Sequence, residues 1–213
     1  NPNPQSAQSL LSSILDMLHT VDGDFGAIDR LAIASSDSES LQLMIDRLSS
    51  HPQAKKAFES RFRLATIDLE KLKKLPDRTL GYLYAKHLLD NQLKPLQPQP
   101  AENEFQFLGT HITETHDLWH VITGSKTDIC GEIQLEAFYV AQLEVSRFWL
   151  ALLTKNLLKA LVYDIEIATQ YMEALTKGWI MGKKAEPLFG VDWNTLWDAP
   201  IEQVRDSFNI VDV

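Results

Sequence analysis

"ICGEIQLEAFYVAQLEVSRFWLALLTKNLLKALVYDIEIATQYMEALTKG", residues 129–178, runs for about fifty residues with hardly a helix breaker. Apolar side chains recur along it at steps of three and four, the period of a helix buried along one side. Its length predicts two long helices, at 129–154 and 157–180. No stretch of the chain shows period-two alternation of comparable strength. The predicted fold class is therefore all-α, a single multi-helix domain.

Upstream, "TGSKTD" at 123–128 is a turn, because glycine, serine and aspartate favour caps and turns over helix interiors. "HDLWH" at 116–120 precedes it as helix. "KPLQPQPAENE", with prolines at 95, 98 and 100, is a connector near 94–103 that ties two helical halves together. "DLEKLKKLP" and "PDRTLGYLYAKHLLDNQL" are amphipathic helices, the second with Leu80, Leu83, Tyr84, His87 and Leu88 on one face. His51–Pro52 stops one helix or starts the next. Ser38 or Ser40 is the expected cap for "LQLMIDRLSS". Residues 1–9 are expected to be disordered, with the first helix starting at Leu10 and one domain covering 10–213. The tail, "EPLFGVDWNTLWDAPIEQVRDSFNIV", reads as a turn-rich arm and a short helix with Pro200 in its first turn.

The bulk properties exclude some functions. A chain of 213 residues with a net charge of −9 lacks the basic surface that a nucleic acid requires. The single cysteine, Cys130, leaves no intramolecular disulfide and is expected to be a small buried thiol. No window approaches the ~18 uninterrupted apolar residues of a membrane span. The best one, "FWLALLTKNLLKALV", is broken by Lys155, Asn156 and Lys159. The start carries neither a signal-peptide n-region nor an evident transit peptide, so the expected location is the cytoplasm or a membrane surface. Ser/His/Asp triads, Gly-rich phosphate loops and CxxC pairs are absent as motifs.

Chemistry concentrates in "HDLWHVITGSKTDICGE", residues 116–132. Each helical residue advances ~100°, which puts Asp117 about 100° and His120 about 40° from His116, so all three side chains fit one wedge. The two imidazoles then stand one above the other, as a helix offers them to one divalent ion. Eleven residues separate His120 from Glu132, enough for a turn and the start of a second helix. Such a helix–turn–helix set of two histidines with one or two carboxylates suits zinc first, and iron or manganese after it. The same residues also fit an ordinary amphipathic helix with polar decoration, and spacing leaves both possibilities open. A third is a metal-dependent hydrolase, since HDLWH resembles the HExxH zinc-peptidase helix with aspartate in place of glutamate. His87 is expected as a hydrogen-bonded core histidine, His111 as a loop residue, and His19 and His51 at the surface. Phe138, Tyr139, Phe148 and Trp149 sit among more leucines than one face of a lone helix needs. They serve either core and subunit interface, or an apolar lipid groove opening beside the metal.

His-Asp-x-x-His, eleven residues, then Glu resembles the signature of the Coq-four family of coenzyme Q (ubiquinone) biosynthesis proteins. "LEKLKKLPDRTLGYLYAKHL" is similar to that family's Leu-Pro-x-x-Thr-x-Gly-x-x-Tyr segment. "GKKAEPLFGVDWNTLWDAPIEQVRDSFNI" is similar to its closing segment, with a tryptophan pair and a final Ile-Glu-x-x-Arg helix. "HPQAKKAFESRFRL" resembles, more weakly, the helix ahead of the Leu-Pro motif. The resemblance implies that His116, Asp117, His120 and Glu132 bind a divalent metal, usually taken as zinc. It implies a polyprenylated quinone precursor or prenyl lipid as ligand, other quinone-biosynthesis proteins as partners, and self-association as a homodimer. It also implies a role as organiser of a biosynthetic complex and/or as a metal-dependent oxidative decarboxylase of a prenylated benzoate-type ring; a non-catalytic prenyl-lipid binding protein is the alternative. In the catalytic case Asp117 or Glu132, if unligated, is the base. One departure stands out. The arginines that the family carries before His-Asp are missing from "GTHITETHD", leaving Lys94, Lys126 or His111 as substitutes toward an anionic head group.

Overall fold

The structure, a computed structural model, describes residues 4–20 and 24–211. Among them the chain forms α-helices α1 (Pro4–Leu18), α2 (Phe25–Ser35), α3 (Ser38–Leu48), α4 (Pro52–Ser60), α5 (Leu69–Leu72), α6 (Leu80–Asp90), α7 (Glu104–Thr123), α8 (Ile129–Leu143), α9 (Arg147–Tyr163), α10 (Ala168–Lys184) and α11 (Ile201–Ser207). Strand pairing among the described residues is limited to an isolated antiparallel bridge between Thr79 and Pro200. The fold is all-α.

The breaker-poor run at 129–178 holds three helices rather than the expected two. Glu144 takes a positive φ of 57° and ends α8. Ser146 then caps α9, its side chain accepting from the Trp149 amide at 3.4 Å. Asp164 caps a short 3-10 turn at 165–167 ahead of α10, accepting from the Glu166 amide at 3.2 Å. Each break rests on one small polar residue satisfying an orphan amide, a signal that apolar periodicity hides.

Other boundaries moved for similar reasons. Helix α1 begins at Pro4, so residues 4–9 continue the helix rather than fraying; residues 1–3 lie outside the described ones. Asp37, not Ser38 or Ser40, caps α3, accepting from the Ser40 amide at 2.9 Å. Pro52 opens α4 from its first turn. Helix α7 starts well before HDLWH because Asn103 accepts from the Gln106 amide at 3.0 Å. Gln106 in turn accepts from the Glu102 amide at 2.7 Å, close to a capping box. That longer helix carries His111, which is therefore not in a loop.

Helix α7 is the central element, packed against α3, α4, α6, α8 and α11. Helix α8 lies between α7 on one side and α9 and α10 on the others, and α1 and α2 cover α9. The main core joins Leu80, Tyr84 and Leu88 of α6 to Leu118, Trp119 and Ile122 of α7 and Phe138 and Tyr139 of α8. A smaller cluster of Ile133, Ala137, Leu153, Ala160 and Tyr171 locks α8 to α9 and α10. An aromatic side chain buries ~150–250 Å², so at ~25 cal/mol per Å² each of these rings contributes several kcal/mol.

The closing arm docks on the start of α6. The Leu80 amide donates to Ala199 O at 2.9 Å, the Gly81 amide to Trp197 O at 2.8 Å, and the Ile201 amide to Arg78 O at 2.7 Å. A Cβ at Gly81 would stand 2.8 Å from that Trp197 oxygen, so the close approach needs glycine. The Leu-Pro-x-x-Thr-x-Gly-x-x-Tyr segment and the closing segment are thus two halves of one contact. No described helix is long and apolar enough to cross a membrane.

Candidate metal centre

Three side chains converge where α7 ends and α8 begins. His116, His120 and Glu132 each bring one ligand atom to within 4.8 Å of the other two. Helix periodicity aligns the histidines, whose ring centroids are 4.8 Å apart. The turn at 124–128 folds α8 back so that Glu132, in its first turn, reaches them. Gly124 makes this possible with a φ of 72°. Asp128 caps α8 through the Gly131 amide at 2.8 Å. At Gly131 a Cβ would fall 2.0 Å from the Lys126 carbonyl oxygen, so the turn lies directly on that glycine.

The hydrogen bonds leave a definite atom on His120 for an ion. Its Nδ1 is 3.1 Å from the Ser125 carbonyl, which can only accept, so Nδ1 carries a proton and Nε2 points to Glu132 Oε1 at 3.3 Å. Backbone anchoring of one imidazole nitrogen is the usual way a ligand histidine is oriented. Tyr139 Oη lies 3.4 Å from His116 Nδ1. The tyrosine ring is stacked between Trp119, 4.2 Å away, and Trp149, 3.8 Å away.

Electrostatics separates the two histidines. Burial, helped by the neighbouring His120 charge, pushes the His116 pKa down to about 4, so its ring is neutral near pH 7. Burial also opposes charge on His120, but the hydrogen bond and charge of Glu132 outweigh it and raise the pKa. On Glu132 burial works toward protonation and is overcome by His120, leaving the carboxyl below its ordinary value. Burial lifts Tyr139 far above the normal phenol range, with Asp117 and Glu132 adding to the effect. The donor set of two imidazole nitrogens and one carboxylate oxygen fits a zinc-type ion.

Asp117 stands outside this group. Its position, about 100° round the helix from His116, turns it toward α6. There its Oδ1 is 3.5 Å from His87 Nε2. His87 also lies nearly parallel to His120, with ring centroids 5.4 Å apart. It is half-buried and its Nε2 has no hydrogen-bond partner, so it borders the centre rather than sitting in the core as a hydrogen-bonded histidine. Tyr84, one turn earlier on α6, buries its hydroxyl without a hydrogen-bond partner, and burial raises its pKa, with the Asp117 and Glu114 charges adding. A histidine and a tyrosine three apart on an otherwise apolar face were the sequence signal for this second wall.

The remaining expectations divide. His111 is 1% exposed, accepts from the Gly190 amide at 3.1 Å, and is packed among Phe62, Phe107 and Phe189. It is an internal anchor and is not available to an anionic head group; Lys94 and Lys126 are exposed. Cys130 is half-buried. Phe138 and Tyr139 are fully buried in the core, Trp149 nearly so, and Phe148 half-buried beside it. One turn beyond Glu132, buried Glu136 accepts from Asn156 Nδ2 at 2.9 Å and 3.2 Å, while Asn156 Oδ1 accepts from Lys155 Nζ at 2.7 Å. These groups brace α8 against α9 in a stretch whose periodicity suggested only apolar contact.

The family described as "Coenzyme Q (ubiquinone) biosynthesis protein Coq4" matches residues 1–213, the whole chain. The chain belongs to the Coq4 family. Among curated Coq4 relatives, the "Ubiquinone biosynthesis protein COQ4 homolog, mitochondrial" of Anopheles gambiae is 26% identical over 163 residues, covering 70% of this chain and 54% of that protein. The mouse (Mus musculus) protein of the same name is 25% identical over 181 residues, covering 80% and 65%. The chain thus spans between about half and two-thirds of the length of these relatives. A crystal structure of a candidate ubiquinone biosynthesis protein from Nostoc punctiforme superposes with a TM-score of 0.86 at 25% identity, covering 96% of this chain and 98% of that one. This Coq4 fold is therefore shared over nearly its full extent.

Proposed function

We propose that this chain acts in ubiquinone biosynthesis, holding a divalent ion, zinc first, between His116, His120 and Glu132 next to a site for a prenylated quinone precursor. The observation that carries this is the convergence of three ligand atoms within 4.8 Å in a Coq4-family chain. When bound, such an ion supplies Lewis acidity toward an oxygen substituent of the ring. Ser125 orients His120, Tyr139 orients His116, and Asp117 offers a carboxylate beside the set that can take or hold a proton. The zinc-peptidase alternative gains no support, since Asp117 faces His87 rather than the ion's side of the helix.

The prenyl tail is assigned to the apolar ground next to His116, with Phe148 and Trp149 as the near wall and Phe138 and Tyr139 behind it. The stacking of His116 on Tyr139 and Trp149, each at 5.9 Å, supports that placement. A membrane-surface location and contact with other quinone-biosynthesis proteins or a second copy fit the apolar exterior of α9 and its flank. There Leu150, Leu161, Val162, Tyr163 and Ile165 are exposed, as are Leu11 and Leu15 on the adjacent α1. Metal analysis of purified protein together with mass spectrometry of co-purified lipid tests the assignment. Stoichiometric metal and a prenyl lipid that is lost in W149A are expected; protein with neither contradicts it.

A further inference from the structure

We propose that the groove between α5 and the closing arm docks a segment of a partner protein that carries an arginine beside an apolar residue. The inference is independent of the metal assignment. The groove has a volume of about 380 Å³ and is half-open. That shape suits a chain segment that enters and leaves, whereas a small ligand is typically ~70–90% enclosed. Its floor is apolar: Leu72 is buried, with Ile67, Leu75 and Trp197 half-buried around it. Its walls are fixed. Asn194 accepts from the Ala65 amide at 2.7 Å and donates to Arg63 O at 3.0 Å, tying the 61–68 loop to the arm. The Trp197 carbonyl accepts from Gly81, and its ring packs on Tyr84 with centroids 5.4 Å apart. A preformed groove loses little ordering entropy on binding.

Charge selects the occupant. The lining side chains that carry charge are Asp68, Lys71 and Asp198. Asp68 caps α5 through the Lys71 amide at 3.0 Å, and these two neighbours offset each other. Asp198 is exposed, and among the described residues its carboxylate has no hydrogen bond or ion pair. Asp192, bonded to the Asn194 side chain at 2.9 Å, adds a second carboxylate to the arm. An unpaired carboxylate next to a half-exposed indole suits a guanidinium, which pairs with the first and lies over the second. An ammonium meets the charge without the planar stack. On the loop wall, the amides of Thr66 and Ile67 donate to no acceptor among the described residues, so main-chain bonds to a docked segment are available.

The test titrates the isotope-labelled full chain with two capped peptides, Ser-Leu-Arg-Leu-Ser and Ser-Leu-Glu-Leu-Ser, and follows amide and indole resonances by NMR. The arginine peptide should shift the amides of Thr66, Ile67 and Lys71 and the indole of Trp197. The glutamate peptide should bind at least about ten-fold more weakly, because it sets like charge against Asp198. D198K, a change at an exposed side chain, should reverse that preference. Equal binding of the two peptides overturns the proposal, and so does an arginine peptide that leaves these resonances unmoved. A preference that D198K leaves intact overturns it as well. Shifts at the same resonances from phosphatidylglycerol vesicles, with none from the arginine peptide, make the groove a lipid contact and overturn it too.

Discussion

Arg205 donates from Nε to the Ile122 carbonyl at 2.9 Å, and from Nη2 to the adjacent Val121 carbonyl at the same distance. The last helix of the chain thereby satisfies the otherwise unpaired C-terminal carbonyls of α7, one turn beyond His116 and next to His120. The guanidinium also sits favourably at the negative end of the helix dipole. A residue some eighty positions downstream thus fixes the end of the histidine helix where it enters the Gly124 turn.

Replacing Arg205 with alanine should cost about 2 kcal/mol of stability, the scale of losing charged hydrogen bonds to a partly covered helix end. Urea denaturation reads the change. R205K, which keeps the charge but not the two-pronged geometry, should fall between wild type and R205A. Equal stability of all three would show that Arg205 does not clamp the end of α7.

Gly131 should not tolerate alanine. The added methyl would meet the Lys126 backbone, with carbonyl oxygen and carbon at 2.0 and 2.5 Å, so either the turn or the start of α8 must move. Backbone on that side cannot yield as a side chain tip would, so G131A should lose more than ~2 kcal/mol. Because Glu132 moves with it, metal affinity should drop as well. Calorimetric unfolding and metal titration on the same sample check both.

The metal-free protein should weaken in acid through His116. Its pKa of about 4 in the folded chain lies below the ordinary 6.5, so between those values the unfolded chain binds a proton that the folded chain does not. Stability therefore rises with pH across that window and is lost on acidification. At ~1.4 kcal/mol per pKa unit the contribution is on the order of 3 kcal/mol over the full window. Between about pH 7 and pH 4.5, wild type should lose roughly 2 kcal/mol more than H116Q; parallel losses would contradict it.

Metal uptake should release a proton from His120. Glu132 holds that imidazole charged above its usual pKa, and an ion can bind Nε2 only after the proton leaves. Affinity should increase as pH rises through the raised pKa. Titration calorimetry in buffers of different ionisation enthalpy measures the released proton directly. Uptake without proton release near pH 6.5 would be inconsistent with the His120–Glu132 pairing.

The fold class was legible because apolar periodicity repeats over nearly the whole chain. Helix ends were not, where a single polar side chain such as Ser146 or Asp164 decides them against a continuous apolar background. At the centre, the i, i+4 spacing of His116 and His120 and the reach of Glu132 could be derived from helix geometry alone. Helix geometry puts Asp117 in the same wedge, but what faces it is set by α6, an element about thirty residues earlier in sequence. His87 looked like core for the same reason: its surroundings are tertiary. The resemblance at the Leu-Pro and closing segments gained a physical meaning only when Gly81 and Trp197 were seen in contact.

The proposed function stands on one divalent ion held between His116, His120 and Glu132. The most direct measurement is metal content and zinc affinity of wild type beside H120A and E132Q, each verified as folded by circular dichroism. Wild type should hold about one ion per chain, H120A should lose it, and E132Q should bind it at least about ten-fold more weakly. Full occupancy in H120A, or a wild type that binds no ion at all, would contradict it.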